Sequence, residues 1–189
     1  MALDEFAAPA ELLHPNSPLA KLAADMLRAP QALLQLSPEE AQTVVAHMAP
    51  RFIPAHTRFI TEGSPSHNDG FMVLILDGDV EVESLMQAGT PPLTLKVMGP
   101  GSLLGEVSLL DQGARTASCH ASSDLLCAVL SRPALEALLA QSPALGAKLV
   151  LAIAARMAER MRDTSRQFKL YAKLAQAMQH AHERGIVHR

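Results

Sequence analysis

The hydrophobic and polar positions divide the chain into three kinds of segment. Between Arg58 and Leu130, short apolar runs alternate with turn residues, a pattern that predicts β-strands. Before them, Ser17-Pro18 and Ser37-Pro38 each precede apolar residues at helical spacing, and a serine followed by proline predicts a helix start. After them, residues 147–184 contain neither glycine nor proline and carry an apolar stripe, which predicts one long helix.

The strands are predicted to be short and to end at turn residues. Asp77-Gly78 lies between two apolar runs and predicts a β-hairpin. Many short strands at this spacing favour a closed or sandwiched antiparallel sheet, so the predicted fold class is α+β. The predicted strand segments are 58–63 (a strand running into a turn), 71–76, 79–83, 93–98, 116–121 and 125–130.

Helices are predicted on both sides of the strand region. Residues before Ser17 are expected to be loose, because chain termini are poorly ordered unless something ties them down. Ser131-Arg132-Pro133 predicts the start of a short helix, and Ser142-Pro143 predicts the start of the long one. The N-terminal helices are predicted at 18–27, 31–36 and 38–48.

The segment from Gly105 to Ser118 carries the clearest chemistry. A glycine lets a backbone approach a ligand closely, and the helical turn predicted after it presents N–H groups that suit an anion. Arg115 supplies a guanidinium that can grip a phosphate through two parallel hydrogen bonds. Glu106 suits such a site if it accepts a hydrogen bond from a neighbouring hydroxyl. A ribose 3′,5′-cyclic phosphate offers the anion and the hydroxyl side by side.

This segment resembles the phosphate-binding cassette of the cyclic nucleotide-binding domain family, which includes catabolite activator proteins, kinase regulatory subunits and cyclic nucleotide-gated channels. The resemblance implies that Glu106 takes the ribose 2′-hydroxyl and Arg115 the cyclic phosphate. Leu104 and Ala114 depart from the usual Phe and Pro without removing a ligand contact. The alternative is a relic that no longer binds ligand. The implied ligand-binding residues of the cassette are Gly105, Glu106, Val107, Ser108, Arg115, Thr116 and Ala117.

The resemblance covers roughly residues 37–162 and implies an antiparallel β-roll, a jelly-roll-like double-stranded β-helix, with N-terminal helices and a long C-terminal helix. Activator proteins carry a Thr–Ser pair on that helix, against the nucleotide base. Counting without gaps from Pro143 puts the equivalent positions at Arg160 and Met161, whereas Thr164-Ser165 lies one turn further on. Arg160, Thr164 and Ser165 are therefore candidate base contacts. The alternative is that the two hydroxyls are merely exposed.

Composition fits one domain with helical flanks. Of 189 residues, 49% are hydrophobic and 19% charged, which is ordinary for a globular protein. The formal net charge of −3 gives no overall attraction to nucleic acid or an anionic membrane. The acidic N-terminus does not resemble a signal peptide, so a cytoplasmic location is expected. The expected organisation is a partly flexible helical arm at 1–36, a cyclic nucleotide-binding domain at 37–165 and a helical extension at 166–189.

The expected function is a regulatory module, not an enzyme, that signals through its C-terminal helix. Cyclic AMP is the favoured ligand, with cyclic GMP also accommodated because Thr116 can reach a guanine amino group; no cofactor is expected. The expected partners are a second copy, paired through the C-terminal helix, and an unknown effector protein, with no membrane and no nucleic acid bound by this chain alone. Fewer than 30 residues follow Arg162, too few for the helix-turn-helix domain of the related transcription factors.

Two alternatives belong to other classes. One is a transcription regulator of the catabolite activator family that lacks its DNA-binding part. The other is a cupin-type metalloenzyme, because Gly63, His67 and Gly78 match part of the cupin pattern. In that pattern a second histidine and a glutamate should follow His67, but Asp69 stands where the histidine should be and no glutamate follows until Glu81, beyond Gly78.

Overall fold

The computed structural model describes residues 11–30, 32, 35–65, 70–84 and 93–183, with side chains in the last range up to residue 180. The chain separates into two compact units, residues 1–153 and residues 154–189. Within the described ranges, the first unit contains two four-stranded antiparallel sheets and the helices around them. The second contains the greater part of one long helix. The predicted α+β class, with N-terminal helices and a long C-terminal helix, is confirmed.

The described elements follow the predicted order. In the sequence they are α1 Pro18–Leu27, α2 Pro38–Val45, β1 Ala49–Ile53, β2 Arg58–Ile60, β3 Phe71–Asp77, β4 Val80–Ser84, β5 Leu93–Met98, β6 Leu103–Leu104, α3 Glu106–Asp111, β7 Ser118–Ala121, β8 Leu125–Ser131, α4 Arg132–Gln141 and α5 Pro143–Glu183. Of the helix predicted at 31–36, residues 31, 33 and 34 lie outside the described residues, and the described residues 32, 35 and 36 are in bends or turns instead of a helix. Most of the segment before Ser17 also lies outside the described residues.

Serine caps begin the helices, as predicted. Ser17 Oγ accepts a hydrogen bond from the Ala20 amide at 3.1 Å and so caps α1. Ser37 and Glu40 form a capping box at α2, in which the Glu40 carboxylate accepts from the Ser37 amide at 2.7 Å. These pairings satisfy amide groups that the first turn of a helix cannot pair itself. α2 ends at Val45, three residues before its predicted end.

The two sheets enclose the core between them. Their strand orders are β1-β8-β3-β6 and β2-β7-β4-β5, and the buried side chains between them come from both sheets. β3 is buried over its first six residues, because the second sheet covers one of its faces while α1 and α3 pack against it as well. A strand covered on both faces has a continuous apolar run instead of an alternating pattern.

The predicted hairpin at Asp77-Gly78 is wrong. β3 pairs with β6 and β8, whereas β4 pairs with β5 and β7, so the turn carries the chain from one sheet to the other. Gly78 has a φ of 89°, and a side chain here would meet the backbone of Asp124. A turn sequence specifies the local change of direction, but it does not determine which strand the next segment pairs with.

β1 was not predicted, because Pro50 breaks up its apolar pattern. The strand pairs with β8 on one side and forms an edge of its sheet. Proline lacks an amide hydrogen and is tolerated in a sheet mainly at an edge, where one side of the strand needs no hydrogen-bonded neighbour. Pro50 is therefore compatible with β1 only in this outer position.

The helices after the sheets pack closely against one another. Ser131 Oγ caps α4 by accepting from the Ala134 amide at 3.4 Å, and Ser142 separates α4 from α5. Gly146, in the first turn of α5, is buried, and a methyl group on it would lie 3.0 Å from the Leu139 Cα atom. The absence of a side chain at Gly146 therefore allows the start of α5 to lie directly against α4.

Candidate functional site

The predicted cassette turn is a helix, α3, that starts directly after Gly105. Gly105 adopts the left-handed conformation, with a φ of 74°. A Cβ atom at this position would lie 2.7 Å from the Phe71 carbonyl oxygen and 2.8 Å from Arg115 Nη1. Any larger residue would be strained in its backbone and would displace the arginine, so glycine is required here.

Arg115 is buried behind this helix, with 4% of its surface exposed. Its guanidinium carbon lies 3.9 Å from the centroid of the Phe71 ring, within the range of a cation–π contact. Nη1 donates to the Phe71 carbonyl at 3.0 Å, to the Gly105 carbonyl at 3.3 Å and to the Ser108 hydroxyl. The cation is thus fixed by an aromatic ring and by neutral oxygen atoms.

Arg115 interacts electrostatically with the nearby Glu106 but lacks an ion pair in the part of the chain that the structure describes. No carboxylate there forms an ion pair with it, and all its side-chain hydrogen bonds start at Nη1. Burial lowers the pKa of Arg115 to about 10, while Cys119 and Glu106 act in the opposite direction. A buried cation is costly unless an anion pairs with it, and Nη2 and Nε remain to bind one.

Glu106 and Ser108 are buried beside the arginine. Glu106 is the first residue of α3 and is 4% exposed, and its negative charge suits the positive end of the helix dipole. Ser108 is 1% exposed, and its hydroxyl donates to the Gly105 carbonyl at 3.2 Å while it accepts from Arg115. Val107, between them, is half-buried. The structure therefore brings together the central residues predicted for the cassette.

The chain around Arg115 is anchored to the turn after β2. The Arg115 amide donates to the Ser64 carbonyl at 3.0 Å, and the Gly63 amide donates to the Arg115 carbonyl at 2.8 Å. Thr116 follows with its side chain exposed, and Ala117 is half-buried. The backbone thus holds Arg115 inward while Thr116 remains accessible to a molecule outside.

The three candidate base contacts lie in the second compact unit, on α5. Arg160 is half-buried, whereas Thr164 and Ser165 are exposed. The Thr164 hydroxyl donates to the Arg160 carbonyl one turn earlier, at 3.0 Å. The cassette residues all belong to the first unit. That these three residues contact the same ligand therefore stays a prediction.

Phe71 was missed as a site residue by sequence analysis. Its ring lies under the guanidinium of Arg115 and its carbonyl accepts from it, although 44 positions separate the two residues. The sequence marks Phe71 only as the start of an apolar strand. No local spacing could have identified it, because the contact depends on the packing of β3 against the cassette.

The described ranges contain no cluster of metal ligands that would support the metalloenzyme alternative. No group of three or more His, Cys, Asp or Glu side chains there could hold a metal ion. His67 and Asp69, from which the cupin comparison started, lie outside the described residues. Cys119 and Cys127 are buried thiols that form no disulfide, and burial raises the pKa of the Cys127 thiol to about 12. None of the described helices combines the length and apolar character needed to cross a membrane.

Known proteins share this sequence and fold. The family model of the cyclic nucleotide-binding domain matches residues 50–142. The chain is 31% identical over 124 residues to the cyclic AMP receptor protein of Thermus thermophilus, covering 66% of this chain. It is 30% identical over 106 residues, 56% of this chain, to a CRP-like cAMP-activated global transcriptional regulator of Mycobacterium tuberculosis. The chain spans about half the length of these curated relatives, 56% and 45% respectively.

The structural comparison agrees over a larger part of the chain. A crystal structure of a cyclic nucleotide-binding domain from Methylobacillus flagellatus superimposes with a TM-score of 0.68 at 30% identity. The match covers 79% of this chain and 82% of that domain. Because the likeness covers 82% of that domain at 30% identity, and the family model matches the range that contains the cassette, the chain belongs to the cyclic nucleotide-binding domain family.

Proposed function

We propose that this chain binds cyclic AMP and acts as a regulatory module rather than as an enzyme. The observation that carries the proposal is Arg115, a buried guanidinium that is held by neutral oxygens and has no carboxylate ion pair among the described residues. A bound phosphate would supply the missing negative charge in a site that water barely reaches. Charge-assisted hydrogen bonds of this kind are about twice as strong as neutral ones.

Each cassette residue then has a distinct role. Arg115 binds the cyclic phosphate through Nη2 and Nε, while Nη1 keeps the guanidinium in place. Glu106 accepts a hydrogen bond from the ribose 2′-hydroxyl, which explains why a carboxylate is tolerated beside a phosphate. The backbone from Gly105 to Ser108 follows the sugar-phosphate closely, and Thr116 and Ala117 flank it on the arginine side.

The choice of cyclic AMP draws on the relatives. The Thermus thermophilus protein is named a cyclic AMP receptor, and the Mycobacterium tuberculosis regulator is named as cAMP-activated. The residues that the family model matches, 50–142, contain the cassette, so the ligand of these relatives is the simplest proposal. Cyclic GMP remains an accommodated second ligand, because Thr116 is exposed and can donate to or accept from a base.

The output of binding runs through the C-terminal helix. α5 starts at Pro143 in the first unit and continues to Glu183, so it can transmit a change that begins in the nucleotide-binding domain, residues 37–165. Arg160, Thr164 and Ser165 are proposed to cover the base from this helix. A ligand shifts a conformational equilibrium only if it binds one conformation more tightly than the other. Contacts with α5 that form in one conformation alone would supply that difference in affinity. A second copy of the chain and an effector protein are proposed to respond to this conformational change.

Titration calorimetry on the full chain tests the proposal. Cyclic AMP is expected to bind with one site per chain, and 5′-AMP, which has the same base and sugar but an open phosphate, is expected to bind at least tenfold more weakly. Cyclic GMP should bind measurably but less tightly than cyclic AMP. No heat with either cyclic nucleotide, in protein shown to be folded by circular dichroism, would contradict the proposed function.

Thr116 is expected to influence the choice of base. The Thr116→Ala variant should weaken cyclic GMP binding more than cyclic AMP binding, by about 1 kcal/mol or roughly fivefold, the contribution of one ordinary hydrogen bond. Thr94→Ala, which removes an exposed threonine hydroxyl from β5, is the matched control and should change neither affinity. Equal losses for the two nucleotides would show that Thr116 does not contact the base.

A transcription regulator is the second candidate, because one of the two curated relatives is named as one. In that case this chain is the ligand-binding part of such a regulator. The genomic sequence downstream of the Arg189 codon separates the candidates. A reading frame that continues into a helix-turn-helix segment favours the regulator. A stop codon at that position favours the regulatory module that acts on an effector protein.

A further inference from the structure

The C-terminal end of the cassette helix is held by a residue outside the cassette. α3 ends at Asp111, and the amide of the left-handed residue Gln112 pairs with the Ser108 carbonyl at 3.2 Å. The next two carbonyls of the last turn, those of Leu109 and Leu110, cannot be paired within so short a helix. Both accept hydrogen bonds from Arg132 Nη1, at 3.0 Å and 3.2 Å.

Arg132 also holds the strand that supports the arginine of the cassette. Its own amide donates to the Gly70 carbonyl at 2.8 Å. Gly70 directly precedes Phe71, whose ring and carbonyl fix the Arg115 guanidinium. Gly70 is buried against the Ser108 backbone, where a side chain would collide with α3. Arg132 therefore contacts both structures that set the relative position of α3 and Arg115.

The same residue is the first of α4, so it joins the cassette to the following helices. Its Nε donates to the Glu136 carboxylate at 2.8 Å, one turn along α4. α4 in turn packs against the start of α5, where Leu139 lies directly against Gly146. These contacts connect α3 to α4 through Arg132, and α4 to the first turn of α5.

We propose that Arg132 is a positioning residue for nucleotide binding, which holds α3 in the position that the ligand requires and links it to α4. This proposal rests on the proposed function. A cation at a helix C-terminus interacts favourably with the dipole, and here the planar guanidinium reaches two carbonyls and a carboxylate together. Loss of Arg132 therefore frees the end of α3 while leaving Glu106, Ser108 and Arg115 in the chain.

The test compares Arg132→Ala and Arg132→Lys with Glu136→Ala as the control. Two measurements are made on the full-length chain: amide hydrogen exchange of residues 106–112 without ligand, and the affinity for cyclic AMP. Arg132→Ala should accelerate exchange in α3 by about tenfold and weaken cyclic AMP binding by a similar factor. Arg132→Lys should restore part of both, because one ammonium group still reaches a carbonyl. Glu136→Ala removes the carboxylate partner, whose side chain is 58% exposed, but leaves both carbonyl contacts of Arg132, so it should change exchange and affinity much less than Arg132→Ala does.

Several results would overturn the proposal. Unchanged exchange in α3, or a lower unfolding temperature with unchanged affinity, would mean that Arg132 only stabilises the fold. If Arg132→Ala does not fold, Arg132→Lys and Arg132→Gln carry the same comparison. If the wild-type chain binds no cyclic nucleotide, the proposed function fails, but the exchange measurement still decides whether Arg132 holds α3: faster exchange supports it and unchanged exchange contradicts it.

Discussion

Replacing Arg115 by leucine is expected to weaken cyclic AMP binding by about tenfold to several hundredfold. Charge-assisted hydrogen bonds to a phosphate contribute roughly 1.5–3 kcal/mol each, and truncation also leaves the phosphate facing an apolar side chain. The structure increases the expected loss, because Arg115 is already desolvated and oriented before the ligand arrives. Titration calorimetry on the folded variant gives the affinity directly.

Stability must be measured alongside the affinity of this variant. Leucine removes the donor from the Phe71 and Gly105 carbonyls, and a buried acceptor without a partner costs roughly 1–3 kcal/mol. The same substitution also removes a buried charge, which offsets part of that cost. We therefore expect a folded protein with a modestly lower unfolding temperature. Arg58→Leu, at a half-exposed arginine on β2, is the control and should keep full affinity.

Two companion variants test the geometry of the Arg115 guanidinium and the role of the Glu106 carboxylate. Arg115→Lys keeps a positive charge but loses the planar fork, so it should still lose most of the affinity. Glu106→Ala should cost less than Arg115→Leu, and it should narrow the preference for cyclic AMP over 2′-deoxy cyclic AMP, because the carboxylate is assigned to the 2′-hydroxyl. Titration curves that match wild type for both Arg115→Leu and Glu106→Ala would remove the cassette hypothesis.

The cassette could be predicted because its determinants are local. Gly105 permits a left-handed turn, and the residues after it form the short helix that the sequence indicates. The capping serines Ser17, Ser37 and Ser131 are equally local, since each accepts from an amide three residues along the chain. Signals within a few residues suffice for such features, so the positions of these helices and of the cassette followed from the sequence.

The remaining features depend on residues that are distant in the sequence. Nothing around Asp77-Gly78 indicates that β4 joins the second sheet, because strand pairing depends on the whole arrangement. The inward orientation of Arg115 requires the Phe71 ring, and the support of α3 requires Arg132, which is more than 20 positions from the carbonyls it binds. Sequence analysis therefore predicted which residues carry the chemistry, but it did not identify the residues that hold Arg115 and α3 in place.

The largest expected effect on assembly concerns the second half of α5. Its described residues form one helical segment whose large apolar side chains are more than half exposed: Met161, Phe168, Leu170, Tyr171, Leu174 and Met178. Most helical stability in proteins comes from packing an apolar face, and a single helix cannot provide this for itself. An exposed apolar surface of this kind is unusual in a monomer. Pairing with a second copy about a two-fold axis is the simplest way to bury it.

We expect a homodimer of moderate affinity at tens of micromolar protein. Tyr171, Leu174 and Met178 recur at the spacing of a coiled-coil seam, but Arg160 and Gln167 occupy the earlier positions of that seam and limit the pairing. Light scattering should give twice the monomer mass for the full chain and the monomer mass for a version that stops at Asp163.

A substitution within the full chain makes this test sharper than truncation alone. Phe168→Glu places a charge on the exposed apolar stripe and should shift the protein toward monomer by at least tenfold in dissociation constant. Gln176→Glu adds a negative charge to the same helix, at an exposed position on the opposite face, and should leave the dimer intact. A monomeric wild type, with and without cyclic AMP, would eliminate the dimer and would require another partner for the stripe. Loss of the dimer in both variants would point to net charge instead of a specific helix interface.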